Sequence, residues 1–253
     1  MMGAPERLPL QGIKVADFSR HLPGPWCAQM LADLGAEVVK VERPDGDPSR
    51  HNPPLYKEES VYFCSVNGGK RSLVLDLGTA GDRAAAHRLI GAADVVVESF
   101  GRGGAEKLDV HWERARALNP GLIYCSITGF GQTGTLSAIA GRDLAIQAAS
   151  GLLSLVDTPA PAFQAGDYAA GTLAVIAILG ALRNQVQAEA QPRQHRALAL
   201  ERGGLVQAQV AEPDQRVDVA HAERAQRHPA QGVEGAQAAG AILDVRFQVV
   251  GGV

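Results

Sequence analysis

Residues 13–41 read IKVADFSRHLPGPWCAQMLADLGAEVVKV, and this stretch decides the fold. Ile13 to Phe18 is a short β-branched run that predicts a strand. Gly24-Pro25 then opens a helix whose Trp26, Met30, Leu31 and Leu34 recur on one face, and Gly35 closes it. Glu37 to Val41 follows as a second strand. Strand, helix, strand at this spacing calls for a parallel pair with a crossover helix, since parallel neighbours cannot be joined by a tight turn.

The same alternation continues outward. Val61 to Val66 and Leu73 to Leu77 are further strand candidates. Thr79 is placed to cap a helix through Ala93, ahead of the apolar run Asp94 to Glu98. A short helix over Trp112 to Leu118 precedes a strand over Leu122 to Ile127. From Asp143 the pattern turns mainly helical, with a long apolar stretch from Ala169 to Leu182. The expectation is an α/β domain over residues 1–187, a parallel sheet with helices on both faces.

Beyond residue 187 the composition changes. Residues 188–253 hold no Lys, Ser, Thr, Asn, Cys, Met, Tyr or Trp, and are dominated by Ala, Gln, Arg, Val, Gly and Glu. A packed domain rarely omits so many residue types. A disordered tail, an Ala-rich helical extension and a segment read out of frame from a GC-rich gene all compete for this second region, and the last is favoured.

Charge and cysteine usage narrow the function. The 253 residues carry a formal charge of −3 and a pI near 6.2, so no nucleic-acid or anionic-membrane partner is expected. No uninterrupted apolar run approaches the roughly 18 residues of a membrane span, and the opening MMGAPERLPLQG lacks a secretory layout. Cys27, Cys64 and Cys125 lie far apart without a CxxC pair, which suits reduced thiols in a cytoplasm and offers no metal site. These features describe a soluble cytoplasmic enzyme, or part of one.

Three groups of residues are candidates for chemistry. Gly129-Phe130-Gly131-Gln132-Thr133-Gly134 is a literal GxGxxG after a predicted strand. A dinucleotide site needs that loop to open a helix and an acid to end the next strand about 20 residues on. Thr135 to Ala140 makes a poor first turn, and Asp157 sits in a Pro-flanked loop, so a plain turn or a ligand-facing loop fits better. The second group is the loop Ser19 to Pro25, which sets Arg20 and backbone donors at a helix N-terminus. Arg43 and Lys70-Arg71 are candidates to converge on the same carboxyl edge of the sheet. Each alone reads as a solvated charge; together they suit a phosphorylated cofactor. The third is Gly166-Asp167-Tyr168-Ala169-Ala170-Gly171. Asp167 is either a helix cap or an approachable carboxylate nucleophile bared by its small neighbours.

The motifs carry a family resemblance. LQGIKVADFS (10–19), GPWCAQMLADLGAEVVKVERPDGDPSR (24–50), YFCSVNGGKRSLVLDL (62–77), ADVVVESF (93–100), LNPGLIYCSITGFGQTG (118–134), GRDLAIQAASGL (141–152) and GDYAAG (166–171) run in order along the chain. This series resembles the family III CoA-transferases of the CaiB/BaiF type, a group that includes formyl-CoA and carnitine CoA-transferases and the α-methylacyl-CoA racemases. The resemblance implies a Rossmann-like CoA domain, an interlocked homodimer, an acyl-CoA donor with a carboxylic acid acceptor, and no permanently bound cofactor. It makes Asp167 the nucleophile, which passes through a mixed anhydride and an aspartyl-CoA thioester. It assigns CoA contacts to Leu22, Pro23, Arg43, Leu75, Asp76, Leu77, Gly78, Ser99, Phe100 and Lys107, then to Ala140, Gly141, Arg142 and Asp143. GFGQTG becomes a family loop rather than a nicotinamide site.

Within the resemblance, transfer is preferred to racemisation. The racemases carry a His where this chain has Arg142, and arginine cannot act as a base near neutral pH. Ser99 stands where the family prefers Asn, and Gly101-Arg102-Gly103-Gly104 lacks its usual proline. No Thr-Gly-Arg-Gly-Gln-like segment or small domain is recognisable after residue 187. A truncated or frameshifted member that only binds CoA is the alternative to an active transferase.

Overall fold

The computed structural model describes residues 8–155 and 163–190, with side chains through Gln187. The tail beyond residue 190 and Asp157 fall outside the described residues. Five parallel strands form the main sheet: β1 (Lys14–Asp17), β2 (Glu37–Glu42), β5 (Arg71–Val74), β6 (Val95–Glu98) and β7 (Ile123–Ser126). Their order is β5-β2-β1-β6-β7, with Val15 opposite both Val38 and Val95, and Val95 opposite Ile123. The chain therefore reverses its winding between β1 and β6, where doubly wound sheets open a crevice at the carboxyl ends of the strands.

Two apolar layers sandwich the sheet, and period-two alternation assigns residues to each. Val95 and Val97 of β6 join Cys27, Ala28 and Leu31 of α1 (Pro23–Asp33) and Ala170, Ala174, Val175 and Ile178 of α7 (Ala165–Ala190). Val96, between them, faces the other way. It packs with Ala86 and Ile90 of α3 (Ala80–Gly91) and Ala115 of α5 (Trp112–Leu118). Thr79 caps α3 as the sequence leads one to expect, its hydroxyl accepting from the Asp82 amide at 3.3 Å.

Two strand expectations need correction. Residues 61–66 form no strand. A two-residue hairpin, β3 (Leu55–Tyr56) with β4 (Glu59–Ser60), leads into the helical turn α2 (Val61–Ser65). Ser60 decides this locally, because its hydroxyl accepts the Phe63 amide at 3.1 Å and donates to the Asn52 carbonyl at 2.6 Å. That cap outweighs the weak strand preference of the β-branched and aromatic residues. The third sheet strand is Arg71–Val74 rather than 73–77, an edge strand with all four residues exposed. Leu75 ends it with an amide bond to the Glu42 carbonyl at 2.8 Å, and the chain then turns away from the sheet.

The short helix α4 (Gly104–Lys107) lies between β6 and α5, and past β7 come α6 (Asp143–Ala149) and then α7. Ala165–Gln187 of α7 is long and apolar enough to cross a bilayer, with mean hydropathy 1.6. Here the face carrying Ala170, Ala174, Val175 and Ile178 is packed on α1 and the sheet, while Leu173 and Ile176 are exposed.

Gly171 brings α7 into close contact with the first turn of α1. A Cβ there would sit 2.5 Å from the Pro23 carbonyl oxygen and 2.8 Å from Trp26 Cδ1. Gly171→Ala gains about 1 kcal/mol of helix propensity, but the obstacle is backbone and cannot swing aside. A net loss of about 1–3 kcal/mol is expected in urea unfolding. Gly180→Ala, with open space around it, is expected to stabilise by up to about 1 kcal/mol instead.

Candidate active site

At the carboxyl ends of β1, β2 and β5 lies a cleft of about 410 Å³. Phe18, Val41, Leu75, Leu77, Phe100 and Leu108 form its apolar walls, and Arg20, Arg43 and Asp76 stand among them. A half-apolar slot with cations at its mouth suits a ligand that is part ring and part anion.

Beneath the cleft the strand ends carry buried charges. Lys40 and Asp47, both almost fully buried, form an ion pair at 2.9 Å. Lys40 Nζ also donates to the Ser19 carbonyl at 2.9 Å. Asp47 Oδ1 accepts from the Ser49 amide and hydroxyl at 2.9 and 2.7 Å. A second pair joins Asp17 to Lys70 at 3.0 Å, and Lys70 also donates to the Pro25 carbonyl at 2.9 Å and Asn67 Oδ1 at 2.8 Å. Burial works to raise the Asp17 carboxyl; Lys70, Lys40 and the Ser19 hydroxyl override it and hold Asp17 below the usual carboxylate range. Lys70 is thus an internal brace for the start of α1. Arg71 lies at the opposite, amino edge of the sheet, 3.5 Å from Glu37. Lys70 therefore reaches the carboxyl end of β1 but is paired there with Asp17 and does not line the cleft, whereas Arg71 corrects the expectation that both reach the carboxyl edge of the sheet.

Glu98 ends β6 with a side chain that is 1% exposed. Its carboxyl accepts the Phe100 amide at 2.6 Å and a bond from Ser126, whose oxygen also takes the Gln132 amide at 3.0 Å. Burial pushes Glu98 up to about 7, above its ordinary value of 4.5. A folded state that holds this proton more tightly than the unfolded chain loses stability as pH rises from about 4.5 to about 7. Glu98→Gln keeps the shape and removes the titration. The variant is expected to match wild type near pH 5 and to exceed it by ~3 kcal/mol near pH 8, read from denaturant midpoints.

The nucleophile candidate lies on α7. The helix starts at Ala165, so Asp167 is its third residue and not its cap. The capping role is supplied from another helix: Asp143, first residue of α6, accepts the Asp167 amide on Oδ1 at 3.0 Å. Asp167 is half-buried, and burial with the like charge of Asp143 pushes its carboxyl up to about 7. Around it stand Tyr168, stacked on Phe163 at 5.1 Å and edge-on to Trp26 at 5.2 Å, and Trp26 Nε1 donates to Thr172 at 3.2 Å.

The residues assigned by resemblance divide between these two places. Arg43, Leu75, Asp76, Leu77, Gly78 and Phe100 line the cleft. Lys107 is exposed on α4 beside the lining residue Leu108. Ser99 accepts the Arg20 amide on its hydroxyl at 3.0 Å. Leu22 is fully buried and does not line the cleft, and Pro23 sits against Gly171. Ala140, Gly141, Arg142 and Asp143 belong to the Asp167 end. Gly141 meets Gly129 so closely that a Cβ on either falls within about 2.5 Å of the other's backbone. The GFGQTG loop opens no helix; Gly131 and Gly134 turn it at φ of 78° and 91°. Its Gly129 makes this contact with Gly141, two residues before α6 begins at Asp143.

Residues 10–237 match CoA-transferase family III. The succinate–glutarate CoA-transferase of Agrobacterium fabrum is 46% identical over 159 residues, covering 60% of this chain and 40% of that protein. The succinyl-CoA:glutarate CoA-transferase of Mus musculus is 39% identical over 181 residues, covering 69% and 42% respectively. A CAIB/BAIF family protein from Brucella suis superposes with a TM-score of 0.69 at 40% identity, over 73% of this chain and 51% of its own. The chain thus spans about half or less of the length of the relatives it matches.

Proposed function

This chain belongs to CoA-transferase family III, and from that premise we propose that it carries the CoA cleft and the nucleophile of an acyl-CoA:carboxylate CoA-transferase acting on short dicarboxylic acids. The observation that carries the reading is Asp167, a half-buried carboxylate in the first turn of α7, with its amide fixed by Asp143, Gly166 before it and Tyr168 after it. The relatives named for succinate and glutarate suggest the acid class.

The Asp167 carboxylate oxygen attacks the thioester carbonyl carbon; the C–S bond breaks, CoA leaves as thiolate, and a mixed anhydride remains. The thiolate then attacks the aspartyl carbonyl carbon, releasing the donor acid and leaving an aspartyl-CoA thioester. An acceptor carboxylate attacks that thioester, forming a second anhydride and freeing CoA thiolate again. Attack of the thiolate on the acceptor carbonyl yields the new acyl-CoA and restores Asp167. Each step exchanges one acyl bond for another, so no external acid, base or metal is called for. The helix N-terminus favours the ionised carboxylate; burial and Asp143 oppose it and keep the group reactive. Arg142, always charged, offers no second base for racemisation.

Purified chain given succinyl-CoA with glutarate is expected to form glutaryl-CoA, followed by chromatography of the thioesters. CoA binding without exchange would assign this chain the CoA-binding half of the reaction alone. Absence of both would overturn the reading. The interlocked homodimer belongs to the same proposal, and sedimentation at twice the chain mass is its expected mark.

A further inference from the structure

We propose that Arg20 is a phosphate contact for the nucleotide end of CoA, held ready by a clamp that Lys40, Ser99 and Asp47 place on the backbone of residues 19, 20 and 21. The inference rests on the CoA reading above. Three consecutive residues of the β1–α1 loop are fixed by side chains. The Ser19 carbonyl takes Lys40 Nζ at 2.9 Å, the Arg20 amide donates to Ser99 Oγ at 3.0 Å, and the His21 amide points to Asp47 Oδ1 at 3.4 Å. His21 adopts a left-handed φ of 65°, a conformation that a β-carbon disfavours and that such bracing sustains.

The clamp directs the Arg20 side chain into the cleft, where its guanidinium lies 5.2 Å from the centre of the Phe100 ring. What distinguishes Arg20 is its lack of an acidic partner. Among the described residues no carboxylate pairs with it, although two lie near. Asp47 is taken by Lys40. Asp45 is taken by Arg43, which donates to it through both Nε, at 2.8 Å, and Nη2. Arg43 must therefore give up a bidentate partner to meet a phosphate, whereas Arg20 has no ion pair to give up. A half-buried guanidinium that is stacked, backbone-braced and without a counter-ion is a preorganised anion receptor.

Calorimetric titration of the full chain with CoA tests this. Arg20→Gln is expected to weaken binding about tenfold at low salt and to flatten its salt dependence. Arg20→Lys, which keeps charge but not the planar fork, should fall between. Dephospho-CoA separates the phosphates: an undiminished Arg20→Gln effect assigns the contact to the pyrophosphate, a vanished one to the 3′-phosphate. Ser99→Ala probes the clamp, and is expected to weaken CoA binding in wild type but to add nothing in the Arg20→Gln background. Equal loss in both backgrounds would overturn the positioning role. A folded Arg20→Gln protein that binds CoA within twofold of wild type would overturn the contact while leaving the CoA reading intact. No binding by wild type would overturn both.

Discussion

Asp167→Asn is expected to abolish CoA transfer, with exchange falling at least about a thousandfold because no other group can form the acyl-enzyme. The substitution keeps size and shape, so CoA affinity and thermal stability near pH 6 should hold. Trapping with hydroxylamine during turnover, followed by peptide mass analysis, should label Asp167 in wild type and nothing in the variant. The pH profile adds an independent check. A carboxyl pushed up to about 7 by burial and Asp143 is mostly protonated at pH 6 and cannot attack. Single-turnover adduct formation should therefore rise with pH and level off above about 7. Asp143→Asn removes the like charge and should move that midpoint downward. Retained transfer in Asp167→Asn would sink the assignment.

Lys70→Met is expected to be the most destabilising single change in the fold, at about 3–5 kcal/mol. It leaves Asp17, fully buried, without its closest cation, and frees the Pro25 carbonyl at the start of α1. The cost lies in the stranded charge rather than in lost attraction, which sets a sign test. In wild type the lowered Asp17 carboxyl contributes stability that is present above about pH 4 and is lost as pH falls through its folded value. In Lys70→Met the stranded carboxyl is better neutral, so the deficit should shrink on acidification. Adding Asp17→Asn should recover part of the loss at neutral pH. Urea unfolding at pH 5 and pH 8 reads both effects; equal deficits at the two values would refute the stranded-charge account.

Much of this was legible in the chain itself. The β1–α1–β2 unit, α3 and α5 follow from period and start signals, because each helix has one apolar face, and the strands at 95 and 123 follow as short, largely apolar runs buried on both faces. Residues 61–66 misled because a run of Val, Tyr, Phe, Cys and Ser suits a strand by composition, while the Ser60 cap that made it helical is a single side-chain bond. The cleft residues at 75–78 and Phe100 came from motif resemblance and not from pattern. Lys40 and Asp17 did leave a trace: a lysine inside Glu-Val-Val-Lys-Val and an aspartate closing a buried strand are costly unless paired. Their partners, Asp47 and Lys70, are brought in only by the tertiary fold, so the pairing could not be read. The same holds for Asp143, which sequence spacing sets 24 residues from the amide it accepts.

The loop from Ser19 to Pro25 touches both halves of the site: Arg20 lines the cleft, and the Pro23 carbonyl rests on Gly171, one turn beyond Asp167. Seven residues therefore act as a gauge block between the place where a nucleotide would seat and the carboxylate that would meet its far end. Insertions in the exposed turns of β3 and β4 leave that gauge alone. One extra residue between Ser19 and Pro25 would change its length, moving the cleft wall relative to α7 while every side chain of the site kept its identity.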